Sequence, residues 1–135
     1  MADENICSLS LAELAQAIRA KRISAVEATE AALQRLKRLG GPDRLNCVAS
    51  LDEEGALRQA KAADKAHRPG CVLGPLHGVP LAHKDMFFRK GRASGCGAKF
   101  LNDVRAEATA AVLERLDAAA RSRSPVSPWS SSRWA

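Results

Sequence analysis

A chain of 135 residues suits one domain or a piece of a larger one. With 46% hydrophobic and 27% charged residues it has an ordinary globular composition, but three Phe, two Trp and no Tyr leave any core to Leu, Val, Ile and Ala. The net charge of +6 does not mark a nucleic-acid binder: residues 121–135 hold Arg121, Arg123 and Arg133 without an acid, and elsewhere the signs mix along helices, as in Glu27, Glu30, Arg35, Lys37 and Arg38.

In chain order, the opening Met1-Ala2-Asp3-Glu4-Asn5 is acidic and lacks the basic and apolar regions of a secretion signal. Ser10 followed by Glu13 forms a capping box, and Leu11, Leu14, Ala15 and Ile18 recur at helical spacing, which predicts a helix over 11–21. Ser24 and Glu27 repeat the device for a helix over 25–39, which Gly40-Gly41-Pro42 stops. The short link between the two predicts a helical hairpin. Residues 45–51 alternate loosely around Val48 and read as a short strand. Residues 53–66, rich in Ala and straight-chain side chains, read as helix despite Gly55. A turn-rich stretch from Arg68-Pro69-Gly70 to Gly74-Pro75 leads into a strand over 79–84. Gly91, Gly95 and Gly97 mark an irregular loop, and a fourth helix is expected over 106–119 with Val112, Leu113 and Leu116 buried. No apolar run is long enough to span a membrane. Cys7, Cys47, Cys71 and Cys96 match neither a zinc pair nor a thiol-redox pair, which together with the missing signal suggests a cytoplasmic protein with reduced thiols.

The stretch with most chemical content is Gly74-Pro75-Leu76-His77-Gly78-Val79-Pro80-Leu81-Ala82-His83-Lys84-Asp85. It is a tight turn, shaped by Gly78 and Pro80, leading into an apolar strand that ends on a lysine. On an extended strand Pro80, Ala82 and Lys84 share one face. A lysine at the end of a buried strand loses hydration, which favours its neutral amine and suits it to general-base work. Taken alone, most such lysines are simply solvated. Asp85 is expected to orient the following loop. Cys71, His77 and His83 read as a buried thiol and turn-or-strand histidines rather than a metal site. Gly95-Cys96-Gly97-Ala98-Lys99 lacks the spacing of a phosphate loop and a hydroxyl residue after its lysine. No cofactor or metal is expected.

Residues 74–85 resemble the Gly-Pro-Leu-X-Gly-Val/Ile-Pro-X-X-X-Lys-Asp segment of the amidase signature family. Leu11–Leu14, Ser24–Glu30, Leu45–Ala49, Ala60–Asp64, Gly91–Ser94 and Ala108–Leu116 resemble its flanking elements, so the likeness covers residues 9–119. The resemblance implies an α/β fold: the N-terminal fragment of the amidase-signature fold, comprising a helical hairpin and a few strands of a larger mixed sheet. It implies amide C–N hydrolysis by a Ser–cis-Ser–Lys triad in which Lys84 is the general base, supported by Asp85, Gly78 and Pro80. Members hydrolyse small-molecule amides, or release ammonia from glutamine as one component of a tRNA-dependent amidotransferase, and only that second role would bring nucleic acid near the protein. The family's serines lie in a Gly-Gly-Ser-Ser-Gly-Gly-like loop that these 135 residues do not contain. Ser130-Ser131-Ser132 is no substitute: Trp129, Arg133 and Trp134 flank it where a Gly-rich backbone is needed. The expectation is a truncated family member, inactive alone. A small helical binding module over residues 9–66 is the competing reading.

Residues 1–120 therefore read as one unit. Residues 121–135, with six Ser, three Arg, two Pro and both Trp, are expected to be disordered. A one-base slip of a GC-rich reading frame near Ala120 would generate such a segment.

Overall fold

The computed structural model describes residues 5–98, 101 and 104–123. Among them run four helices and two short strands: α1 (Leu11–Arg19), α2 (Ala25–Leu39), α3 (Glu53–Ala66), β1 (Val72–Leu73), α4 (Ala111–Ala120) and β2 (Ser122–Arg123). Both expected capping boxes form. The Ser10 N–H and hydroxyl donate to the Glu13 carboxylate at 2.8 and 2.7 Å, and the Ser24 pair does the same to Glu27 at 2.8 and 2.8 Å. The start of α2 is fully paired, because Asp64 of α3 accepts from the Ala25 and Val26 N–H groups at 2.7 and 3.1 Å while Ser24 accepts from Glu27. That carboxylate also locks α3 onto α2, the strongest helix pairing among the described residues.

The Ser10 hydroxyl, then its N–H, hold Glu13 below the usual glutamate range; for Glu27 the Ser24 N–H leads and the hydroxyl follows. Both carboxyls bind a proton less readily folded than unfolded. Their contribution is therefore complete above the ordinary glutamate value and is lost as pH falls through the depressed folded values. Helical circular dichroism should decline on acidification below about pH 4, and Ser24→Ala should flatten that decline.

Helix α1 stops at Arg19, two residues before the expected end at Lys21. Lys21 adopts φ +56°, with its N–H on the Ile18 carbonyl at 2.9 Å and the Arg22 N–H on Ala17 at 2.9 Å. This is a Schellman closure with lysine in the left-handed position that glycine usually fills. Lys21→Gly should therefore stabilise the chain by about 0.5–1 kcal/mol, read as a raised urea midpoint.

The expected hairpin of α1 and α2 is present as a contact rather than as the main pairing. Ile18 of α1, Ala28 of α2 and Val79 form the buried cluster, with Ile6, Leu14, Ala15 and Ile23 packed against it. The motif segment is thus part of the core, and it enters through Val79.

Two expected strands are not strands. Over 45–51 the backbone folds back on α2: Leu45, Asn46 and Cys47 donate to the carbonyls of Leu39, Gly41 and Gly40, and Asn46 takes φ +47°. Those donors close a helix end and are unavailable to a ladder. Residues 79–84 have no regular structure, because no described segment lies alongside to pair with them. Helix α4 begins at Ala111, not 106, since Ala106 and Ala110 donate to the carbonyls of Arg92 and Phe88. The strands that do form were not expected. Leu73 pairs with Ser122 and Val72 with Arg123 in an antiparallel ladder, so the Ser/Arg-rich segment begins as a paired strand. Residues 124–135, including Trp129, Trp134 and Ser130 to Ser132, lie outside the described residues.

Candidate active site

Gly74 to Gly78 are laid against the end of α4. The Gly74 and Leu76 N–H groups donate to the carbonyls of Arg121 and Ala119 at 2.9 and 3.0 Å, satisfying acceptors that the helix end leaves open. A Cβ on Gly74 would collide with both carbonyls. Gly78 has φ +74°, and a Cβ there would meet Ala25 Cβ at 3.0 Å and Ile18 Cγ2 at 3.1 Å. The turn therefore needs glycine at 78 for conformation and for space.

His77, expected as a turn histidine, is buried and ties the turn to α3. Its Nε2 lies 3.0 Å from the Ala63 carbonyl, which can only accept, so Nε2 carries the proton. Its Nδ1 is buried without a partner among the described residues. The His67 ring lies edge-on at 6.0 Å; burial, then Lys21 and His77, push His67 below its ordinary value. Among the described residues no group of three or more His, Cys, Asp or Glu side chains is placed to hold a metal ion, and Cys71, His77 and His83 form no such group.

Past Val79 the chain emerges. Pro80 is half-buried, and Leu81, Ala82, His83 and Lys84 are exposed. The expectation that Lys84 is partly shielded at a strand end is thus corrected: no described element covers it. Its position is nevertheless bracketed. Val79 anchors the segment on one side. On the other, the buried Ser94 hydroxyl donates to the Asp85 carbonyl and lies 3.3 Å from Asp85 Oδ1. Asp85, half-buried, therefore joins the lysine segment to the glycine loop. Beside it opens a cleft of about 510 Å³ lined in part by Asp85, Ser50, Gly95 and Gly97. That is within the usual range for a small-molecule site.

Three further ties hold the loop. Arg89 makes a two-pronged pair with Asp117 of α4 at 2.8 and 3.2 Å, the Lys90 N–H donates to Thr109 Oγ1 at 3.1 Å, and Arg92 reaches Asp52 at 2.8 Å. Asp52 also caps the Gly55 N–H at 2.9 Å; Arg92 first, and then that N–H, hold its carboxyl below the usual range. The sequence reading missed Ser94 and the Arg89–Asp117 pair as supports. Ser94 sat inside the Gly91–Ser94 likeness, but Arg89 and Asp117 are 28 residues apart and no local spacing links them.

The family model for amidases matches residues 27–121. The chain is 42% identical over 111 residues to the A subunit of glutamyl-tRNA(Gln) amidotransferase from Pseudomonas fluorescens (strain Pf0-1), covering 82% of this chain and 22% of that one. It is 42% identical over 110 residues to the protein of the same name from Nitrosococcus oceani, with the same two coverages. Among solved structures, a chain from a vestigial protein complex said to reveal the evolutionary origins of an s-triazine catabolic enzyme superposes with a TM-score of 0.75 at 31% identity, over 83% of this chain and 24% of that one. The chain thus spans about a fifth of the length of the curated relatives it matches. The match across the lysine motif and both of its flanks settles the family: this chain belongs to the amidases.

Proposed function

We propose that the chain forms the lysine-bearing part of an amide C–N hydrolysing centre. Lys84 is its general base, and a serine nucleophile with its bridging serine comes from outside these 135 residues. What carries the reading is the placement of Lys84. It stands between a turn locked by Gly74, Gly78 and His77 and a loop locked by Ser94, one residue before Asp85, which lines a cleft of about 510 Å³. A base must be held within hydrogen-bond reach of the proton it takes, and such bracketing fixes the backbone that carries it. Asp85, Gly78 and Pro80 position the segment. The chain alone has a base and no nucleophile, so it releases no ammonia from an amide; the test compares it with an assembled enzyme, with and without Lys84→Ala.

A second reading, favoured by the names of the curated relatives, makes the whole enzyme the glutamine-using component of a tRNA amidotransferase. It predicts glutamine as the preferred amide and ammonia delivery to a glutamyl-tRNA held by other subunits. A preference for simple amides over glutamine would overturn it. A cytoplasmic location accords with either reading; no helix among the described residues is long and apolar enough to cross a membrane. A frame slip near Ala120 is in keeping with a family match that ends at residue 121, and the nucleotide sequence there tests it.

A further inference from the structure

The end of α3 and the motif turn meet through two histidines. The His77 ring is buried, and its Nε2 donates to the Ala63 carbonyl at 3.0 Å. Its Nδ1 has no partner among the described residues, so one hydrogen bond carries the polar hold of this side chain. His67 uses the same acceptor: its backbone N–H closes α3 on the Ala63 and Asp64 carbonyls at 3.1 and 3.2 Å. The half-buried His67 ring lies edge-on to the His77 ring at 6.0 Å. The charged and titratable groups acting on His67 are Lys21 from the link between α1 and α2, His77 from the motif turn and Asp64 of α3. Asp64 favours a cation there, but its two oxygens are committed to the Ala25 and Val26 N–H groups at 2.7 and 3.1 Å. Burial, then Lys21, then His77 outweigh it and hold His67 below its ordinary value.

We infer that His67 is an acid-sensitive latch on the motif turn: neutral, it packs against His77; protonated, it swings into water and loosens the turn that leads through Val79 to Lys84. The physical causes are desolvation and like charge. An imidazolium held near Lys21 and against the His77 ring lacks hydration in the closed arrangement and regains it by leaving. Its departure lets water reach the Ala63 carbonyl, where water competes with His77 Nε2 for the acceptor. No described group on the Nδ1 side of His77 makes up for the lost hold. The Gly74 and Leu76 bonds to the carbonyls of Arg121 and Ala119 do not involve either histidine, so the loosening is confined to residues 77–79. The closed form takes up a proton less readily than the open form. Closure is therefore complete above the ordinary histidine value of about 6.5 and is lost as pH falls from there through the depressed folded value. That window begins well above the one in which Glu13 and Glu27 act. The latch stands or falls without the amidase centre, since its readout lies within the 135-residue chain.

Amide hydrogen exchange of the chain, expressed as protection factors so that the pH dependence of intrinsic exchange is removed, is compared at about pH 7.5 and about pH 5.5, on either side of the ordinary histidine value. The His77 and Val79 N–H groups, which donate to the Gly74 and Leu76 carbonyls, should lose at least about threefold in protection on acidification, while amides within α2 hold theirs. Histidine ring resonances should show His77 losing its Nε2 hydrogen bond in step with the titration of His67. His67→Gln keeps a polar side chain that does not titrate, and it should remove most of the acid effect. Lys21→Gln takes away a like charge and should reduce the effect in part. Unchanged protection at 77 and 79 overturns the latch. So does an equal acid loss in His67→Gln, or a loss spread evenly into α2. Where His67→Gln loosens the turn at both pH values, Lys21→Gln decides: a smaller acid loss than in the parent chain upholds the latch, and an equal one overturns it.

Discussion

In an assembled enzyme, Lys84→Ala is expected to lower kcat for amide hydrolysis by about 10²–10⁴-fold with a smaller change in KM. On the proposed mechanism the loss is in kcat, because the base acts as the nucleophile gives up its proton, a contact made in the transition state and not in substrate binding. Lys84→Arg separates charge from basicity. A guanidinium keeps the positive charge but does not deprotonate in proteins, so the arginine variant should be as inactive as the alanine one. Recovery of turnover by arginine would show that the site needs a cation and not a base. In the 135-residue chain the same substitutions should change nothing, because members of a catalytic unit act non-additively and a base without its nucleophile has no step to perform. Ammonia release from glutamine and from a simple primary amide, measured for chain and assembly side by side, checks both statements. Turnover by the chain alone that Lys84→Ala abolishes would mean that a nucleophile lies within these residues.

The second large effect is on stability. Ile18 is 2% exposed and lies at the centre of the cluster that joins α1, α2 and the motif segment. Ile18→Ala removes its packing from both helices and from Val79, and core truncations of this kind cost about 2–5 kcal/mol. A domain with a typical stability of about 5–15 kcal/mol and few large buried side chains should then lose much of its folded population. The urea midpoint should drop sharply, while Leu45→Ala, at an exposed position, should stay within about 0.5 kcal/mol of the parent. The same side chain limits the motif turn. Gly78→Ala should cost about 1–2 kcal/mol from its left-handed backbone, with more from the close approach to Ile18 Cγ2. In the Ile18→Ala background the contact with Ile18 Cγ2 is gone while that with Ala25 Cβ at 3.0 Å remains, so the cost of Gly78→Ala should fall in part and the two changes should couple instead of adding.

Three of the four helices found among the described residues were legible in the sequence, because helical signals are local. A capping serine sees a glutamate three residues on, and a helix forms its hydrogen bonds within its own segment, so 25–39 and 53–66 came out to the residue. The lysine motif and its family were legible for the same reason: twelve consecutive residues carry them. What the sequence misplaced depends on distant partners. A strand has no hydrogen-bonding partner of its own, so the apolar pattern at 79–84 says that these residues can pair but not that a neighbour is present. Residues 45–47 had the composition of a strand, yet tertiary structure spent their donors on the end of α2. Val72 and Leu73 became a strand only because Ser122 and Arg123 come alongside, some fifty residues later. The exposure of Lys84, the burial of His77 on the Ala63 carbonyl, and the Ser94 and Arg89–Asp117 ties were decided in the same way. Residue type fixes what a side chain can donate, accept or titrate; which group it meets, and whether water still reaches it, follows from chain segments far apart in sequence that folding packs together.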